Sequence, residues 1–173
     1  GNLALITDAS SVWSNRFDLT VGDGGSANQL VISNGGAVFS AIHGIIGRTG
    51  FARSNSVTVT DLGTRSLLSS NLYVGSNGAF SQIIVSNGAH LENARGILGN
   101  GVTGSNNLAV VTGSGSVWSN AAELFVGADG RGNQLVVSNG GVVSNSQGGI
   151  GVNSNARSNV VVVTGSGSMW SNV

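Results

Sequence analysis

Hydrophobic residues in this chain recur in short alternating bursts. The pairs Ala4/Ile6, Leu30/Ile32, Val57/Val59, Ile83/Val85, Ala109/Val111, Leu135/Val137 and Val161/Val163 are never polar, whereas the interleaved positions admit Gln29, Ser56, Thr58, Gln82 and Gln134. Alternation with a period of two is the mark of a strand with one buried face, so the first parity is assigned inward and the second outward. No 3.6-residue period is sustained anywhere, and Gly, Ser, Asn and β-branched residues dominate, so helices are not expected.

The bursts keep a fixed interval. Asn2, Asn28, Asn55, Ser81, Asn107, Asn133 and Asn159 share one phase, in steps of 26 with a single 27 that an inserted residue near His43 explains. Five positions later comes a hydroxyl column, Thr7, Ser33, Thr60, Ser86, Thr112, Ser138 and Thr164. The next column reads Asp8, Asn34, Asp61, Asn87, Gly113, Asn139 and Gly165, residue types that tolerate a left-handed backbone, so a turn with positive φ is expected once per unit. A second strand follows, with Trp13, Val38, Leu91, Trp118, Val143 and Trp170 at matched positions, and a third ends in an aliphatic-Gly pair such as Val21-Gly22 or Val126-Gly127. A longer period of 52 overlies the short one: Val111–Asn120 returns as Val163–Asn172 and, more loosely, as Ile6–Asn15. It divides the single continuous domain 1–173 into long repeats at about 6–58, 59–110 and 111–162, with a partial copy at 163–173.

Strands this short need neighbours. Stacking equivalent rungs about 4.8 Å apart pairs their backbones and joins their apolar sides into one interior. The expected fold is therefore all-β, a parallel β-helix or β-solenoid with about 26 residues and three short strands per rung, six to seven rungs in all. Asn2, Asn28, Asn55, Asn107, Asn133 and Asn159 are expected to form a structural amide ladder. Trp13, Trp118 and Trp170 are expected in the core, because their column also holds Val38, Leu91 and Val143.

Composition then narrows the partners. The chain has no cysteine, no proline and no lysine, 29 glycines, only 8% charged residues and a net charge of zero. Thiol and zinc-finger chemistry are excluded, and no basic footprint for nucleic acid is present. No apolar run reaches the ~18 residues of a membrane span. In-register stacking explains the scarce charge, since like charges one rung apart would repel.

The segments VTGSGSVWSN, LFVG and NQLVVSNGG resemble the repeats of autotransporter passenger domains, surface proteins of Gram-negative bacteria, and the likeness spans the whole chain. The resemblance implies a right-handed parallel β-helix, located at the cell surface or released from it, commonly adhesive or self-associating. Because the chain begins and ends inside a repeat, it is expected to be a segment of a longer protein.

Candidate chemistry is sparse. The Gly-Asp-Ser-Gly nucleophile motif of serine-protease passengers is replaced by Gly22-Asp-Gly-Gly-Ser26, with glycine at the serine position. Asp18 and Glu123 share a column but lie four rungs apart, about 19 Å, too far for paired acid and base work. Asp8 and Asp61, about 10 Å apart, are read as turn residues. Asp23 and Asp129 are single loop acids without the spacing of a calcium repeat, and His43 and His90, in different columns, are read as exposed residues. No catalytic residue, metal or cofactor is assigned. The outward column Val31, Ile84, Val110, Val136 and Val162, with Leu5 and broken only by Thr58, is a candidate contact strip, and Ile45, Tyr73, Ile97 and Phe125 lie in a second with Thr20 and Gly149. β-propensity on an exposed strand accounts for the same residues. The expected function is a non-enzymatic extracellular rod acting by self-association or contact with a cell surface or matrix. The alternatives are a carbohydrate-active β-helix enzyme, a polysaccharide lyase or glycosidase, and a phage-like fibre; carbohydrate stays open as a partner that no residue pattern supports.

Overall fold

The computed structural model describes residues 1–173, and the chain contains strands and turns but no helix. The first two rungs are β1 (Leu3–Thr7), β2 (Val12–Asn15), β3 (Leu19–Val21) and β4 (Gln29–Ser33), β5 (Ala37–Ser40), β6 (Gly44–Ile46). The next two are β7 (Ser56–Thr60), β8 (Arg65–Leu68), β9 (Asn71–Val74) and β10 (Gln82–Ser86), β11 (His90–Asn93), β12 (Arg95–Leu98). Then come β13 (Leu108–Thr112), β14 (Val117–Asn120), β15 (Glu123–Val126) and β16 (Gln134–Ser138), β17 (Val142–Asn145), β18 (Gln147–Ile150). A seventh, partial rung holds β19 (Val160–Thr164) and β20 (Met169–Asn172).

Corresponding strands of successive rungs pair in parallel and build three sheets of 7, 7 and 6 strands. The register is one-to-one, as in Val85↔Val111↔Val137, so residues of one sequence column lie directly above one another. The inward parity builds the core: Val59, Val85, Val111 and Val137 are wholly buried. Burial on one face and parallel pairing at both edges are what permit strands of only three to five residues.

Two kinds of rung alternate, which is the physical content of the 52-residue period. The turn after the first strand has four residues in odd rungs (61–64, 113–116) and three in even ones (87–89, 139–141). The loop returning from the third sheet compensates, with seven residues in odd rungs (75–81, 127–133) and nine in even ones (99–107, 151–159). The extra residue of the second rung falls where the sequence places it. Ser69 N–H donates to Ser40 O and Ser70 N–H to Ile42 O, which leaves Ala41 without a counterpart on the next rung. His43, beside this bulge, is half-buried rather than exposed: its Nδ1 accepts the Asn71 N–H at 3.2 Å and its ring meets Tyr73 edge-on.

Alternation also solves a packing problem. Trp118 is fully buried, and a Cβ added to Gly96 in the rung below would lie 2.7 Å from its ring. Gly148 stands in the same relation to Trp170, at 2.6 Å. A large residue in one rung thus occupies space that glycine leaves in its neighbour. Trp13 and Trp170, in the terminal rungs, are half-buried and pack against the core from its two ends. In the third rung Ser66 stands at the tryptophan position, and an apolar cavity of about 20 Å³ remains there, lined by Leu30, Leu68, Leu72 and Leu91 among others.

Candidate functional site

Positive φ recurs at three corners of each rung, more often than the single turn expected from sequence. Asp8, Asn34, Asp61, Asn87, Gly113, Asn139 and Gly165 have φ between 50 and 90°. Even rungs place Asn and Gly together in this region, as at Asn34 (50°) and Gly35 (86°), the requirement of a tight I′-like turn. The glycines of the aliphatic-Gly pairs, Gly22, Gly47, Gly75, Gly99, Gly127 and Gly151, form a second column. A third runs through Ala27, Ser54, Phe80, Asn106, Gly132 and Ser158, at 55 to 65°. Residue type could not reveal this third column, since alanine and phenylalanine do not signal a left-handed backbone.

The third left-handed column sits directly before the asparagine column and turns each Asn inward. Asn2 Nδ2 donates to Asn28 Oδ1 at 2.8 Å and Asn28 Nδ2 to Asn55 Oδ1 at 3.0 Å. Further along, Asn107 Nδ2 donates to Asn133 Oδ1 at 2.9 Å and Asn133 Nδ2 to Asn159 Oδ1 at 3.1 Å. The backbone N–H of each lower residue bonds the same oxygen, so each amide closes two groups at once. Gly22, Gly75, Gly99 and Gly127 lie against Asn55, Asn107, Asn133 and Asn159, where any Cβ would strike the amide. That contact gives the aliphatic-Gly pairs their reason. At Ser81 the ladder breaks: its buried hydroxyl has no partner, and the Asn55 N–H meets no acceptor.

A second asparagine set, two residues after the column of Leu91, Trp118, Val143 and Trp170, was not identified from sequence as a ladder. Asn93 Oδ1 accepts the Trp118 Nε1–H at 2.7 Å while its Nδ2 donates to Asn120 Oδ1 at 2.7 Å. Asn145 repeats both bonds with Trp170 and Asn172, each at 2.6 Å. The signal was the spacing of Trp and Asn two residues apart, which brings both onto the asparagine of the rung below.

The outer face of the first sheet, formed by β1, β4, β7, β10, β13, β16 and β19, carries no charged side chain. Val31, Ile84, Val110 and Val136 run along its centre half-exposed, with Leu5 and Val162 at the ends more open, at 56% and 36%. Beside them the hydroxyl column is bonded in pairs, Ser33 to Thr7, Ser86 to Thr60 and Ser138 to Thr112. The second strip does not present the open apolar surface expected of it. Ile45 and Ile97 are only 8% and 6% exposed, each beside the Tyr73 or Phe125 position of an adjacent rung.

Charges are dispersed. Arg95 grips Glu123 by Nε to Oε2 at 2.7 Å and Nη2 to Oε1 at 3.1 Å. This hydrogen bonding holds the Glu123 carboxyl below its ordinary range and raises the Arg95 guanidinium. Arg48 reaches Asp18 at 3.0 Å and Asp23 at 3.2 Å. No group of three or more His, Asp or Glu side chains converges in a way that could hold a metal ion. No helix is long and apolar enough to cross a membrane. No protein-family model, curated protein or solved structure matches the chain.

Proposed function

We propose that this chain is a segment of a non-enzymatic extracellular rod, structural or adhesive, whose charge-free face associates with the same face of another copy. The observation that carries the reading is the outer surface of the first sheet, without a charge across seven strands. Soluble surfaces usually devote about a quarter or more of their positions to charge, which keeps molecules apart. Here the methyl-bearing column Val31, Ile84, Val110 and Val136 lies in the middle of a plane whose neighbouring hydroxyls are largely paired with one another. Two such planes can approach without stranding a charge. The face measures about 16 by 30 Å from strand length and rung spacing, so a face-to-face pair would bury about 1,000 Å² in total. That is the lower bound for a specific contact, which fits weak contacts strengthened by repetition along a rod. Extracellular placement rests on the resemblance of the VTGSGSVWSN and NQLVVSNGG segments to passenger-domain repeats.

The test is sedimentation of the parent chain and of the Val110→Lys/Val136→Lys variant over a range of concentrations. Concentration-dependent association of the parent, lost in the variant, is the expected result. A parent that stays monomeric, or a variant that associates as strongly, refutes the proposal.

A further inference from the structure

The corner leading from the third sheet back to the first carries a row of arginines that neither the core nor the first-sheet face uses. Ser26, Arg53, Ala79, Ser105, Arg131 and Arg157 occupy one column, fixed by rung-to-rung backbone bonds such as Asn106 N–H to Arg131 O (2.8 Å) and Gly132 N–H to Arg157 O (2.9 Å). Arg131 and Arg157 stand on adjacent rungs, about 4.8 Å apart at the backbone. Both are exposed, and neither belongs to an ion pair; the three salt-bridge contacts involve Arg48 and Arg95. Elsewhere the stack keeps like charges out of neighbouring rungs of a column, as where Asn34 separates Asp8 from Asp61. Arg131 Nε donates to Asn155 O at 3.3 Å, and two cations one rung apart in a column with no acidic partner offer paired sites to an external anion.

The same corner carries a second departure. Phe80 holds φ = 57° in a column whose other members are Ala27, Ser54, Asn106, Gly132 and Ser158. A bulky residue is an outlier there, and such strain persists where the side chain serves a purpose. The Phe80 ring is 49% exposed, with the Arg53 guanidinium 5.2 Å above it, and Phe51 in the same loop as Arg53 is 85% exposed. Cationic forks and open aromatic faces therefore share one edge of the rod.

We infer that this edge binds a linear acidic polysaccharide running along the solenoid axis. The guanidinium fork matches a carboxylate with two parallel hydrogen bonds, and an arginine recurring one rung on meets the next carboxylate of an extended chain. The apolar faces of sugar rings supply the partner for Phe51 and Phe80. The corner borders the charge-free sheet but shares no strand residue with it, so substitutions at Arg131 and Arg157 and at Val110 and Val136 test this binding and self-association separately.

The experiment uses the full chain with polygalacturonate as probe, dextran as the uncharged comparison and single-stranded DNA as a non-carbohydrate polyanion, titrated at low and high salt. Binding of polygalacturonate that weakens as salt rises is expected, with little binding of dextran or DNA. R131Q/R157Q should lose about tenfold in affinity, the loss of two charge-assisted forks at an exposed site, while R16Q/R65Q, away from this corner, should match the parent. F80N should bind more weakly yet melt higher, because asparagine accepts the left-handed backbone. A thermal midpoint for R131Q/R157Q equal to the parent's shows that folding is not the cause. No binding at low salt, equal binding of dextran, DNA bound as tightly as polygalacturonate, or an unaffected R131Q/R157Q would each overturn the inference.

Discussion

Replacing Ser81 by asparagine should repair the one gap in the amide ladder. Ser81 is wholly buried, its hydroxyl lacks a partner, and the Asn55 N–H below it faces no acceptor. Space for the longer side chain exists in principle, because Gly47 lies against position 81 as Gly75 lies against Asn107. In the new residue Oδ1 would accept from Asn55 N–H and Nδ2, as Asn133 Oδ1 accepts from Asn107 at 3.0 and 2.9 Å. Its Nδ2 would point to the Ala52 carbonyl, as Asn133 Nδ2 points to Gly104 O at 3.2 Å. Each bond contributes about 0.5–1.5 kcal/mol net, and removing an orphaned buried hydroxyl adds a gain of similar size. Ordering the longer side chain costs about 1 kcal/mol. The balance is a gain of about 1–5 kcal/mol, or about 2–20 °C in thermal midpoint for a chain of this size. Guanidinium unfolding measures the total, and hydrogen exchange at the Asn55 amide measures the local part. Ser81→Ala is the control: it removes the orphaned hydroxyl without building the ladder. A Ser81→Asn protein no more stable than the parent, or Ser81→Ala matching it in both stability and Asn55 protection, refutes the reasoning.

Further consequences follow from the packing and the charges. Gly96→Ala forces a Cβ to within 2.7 Å of the Trp118 ring and should cost about 1–3 kcal/mol in denaturant unfolding, whereas Gly24→Ala, at an open position, should be near neutral. Ser66→Val fills part of the 20 Å³ cavity and should raise stability by about 0.5–1 kcal/mol in the same assay. The Arg95–Glu123 pair stabilises the fold above the ordinary Glu123 pKa of 4.5, and its contribution is lost as pH falls through the lower value of the folded state. On the arginine side the raised pKa preserves the contribution until strongly alkaline pH. With side chains 41% and 23% exposed the effect is small, so Glu123→Gln should show as a slightly shallower acid limb of stability against pH, with no change in shape at neutral pH.

Period, strand positions and inward parity were legible because stacking makes each residue its own column's neighbour. A residue 26 positions away is its vertical contact, so Asn107 above Ser81 and Asn133 above Asn107 follow from counting. The turn column at Asp8, Asn34 and Asp61 was legible because its residues advertise a left-handed backbone. Phe80 gives no such sign, and its φ of 57° is imposed by the corner it shares with Ala27 and Gly132.

The coil, its period and the dry side of each strand follow from local alternation and repetition along the chain. Contacts between different columns emerge in the folded chain alone: Gly96 beneath Trp118, Asn93 holding the Trp118 indole, the cavity beside Ser66 and the arginine edge at Arg131 and Arg157. Repetition specifies distance along the axis, whereas contacts across the interior and around a corner depend on how each rung closes. Closure depends on the balance of short and long loops, which column alignment alone does not convert into angles.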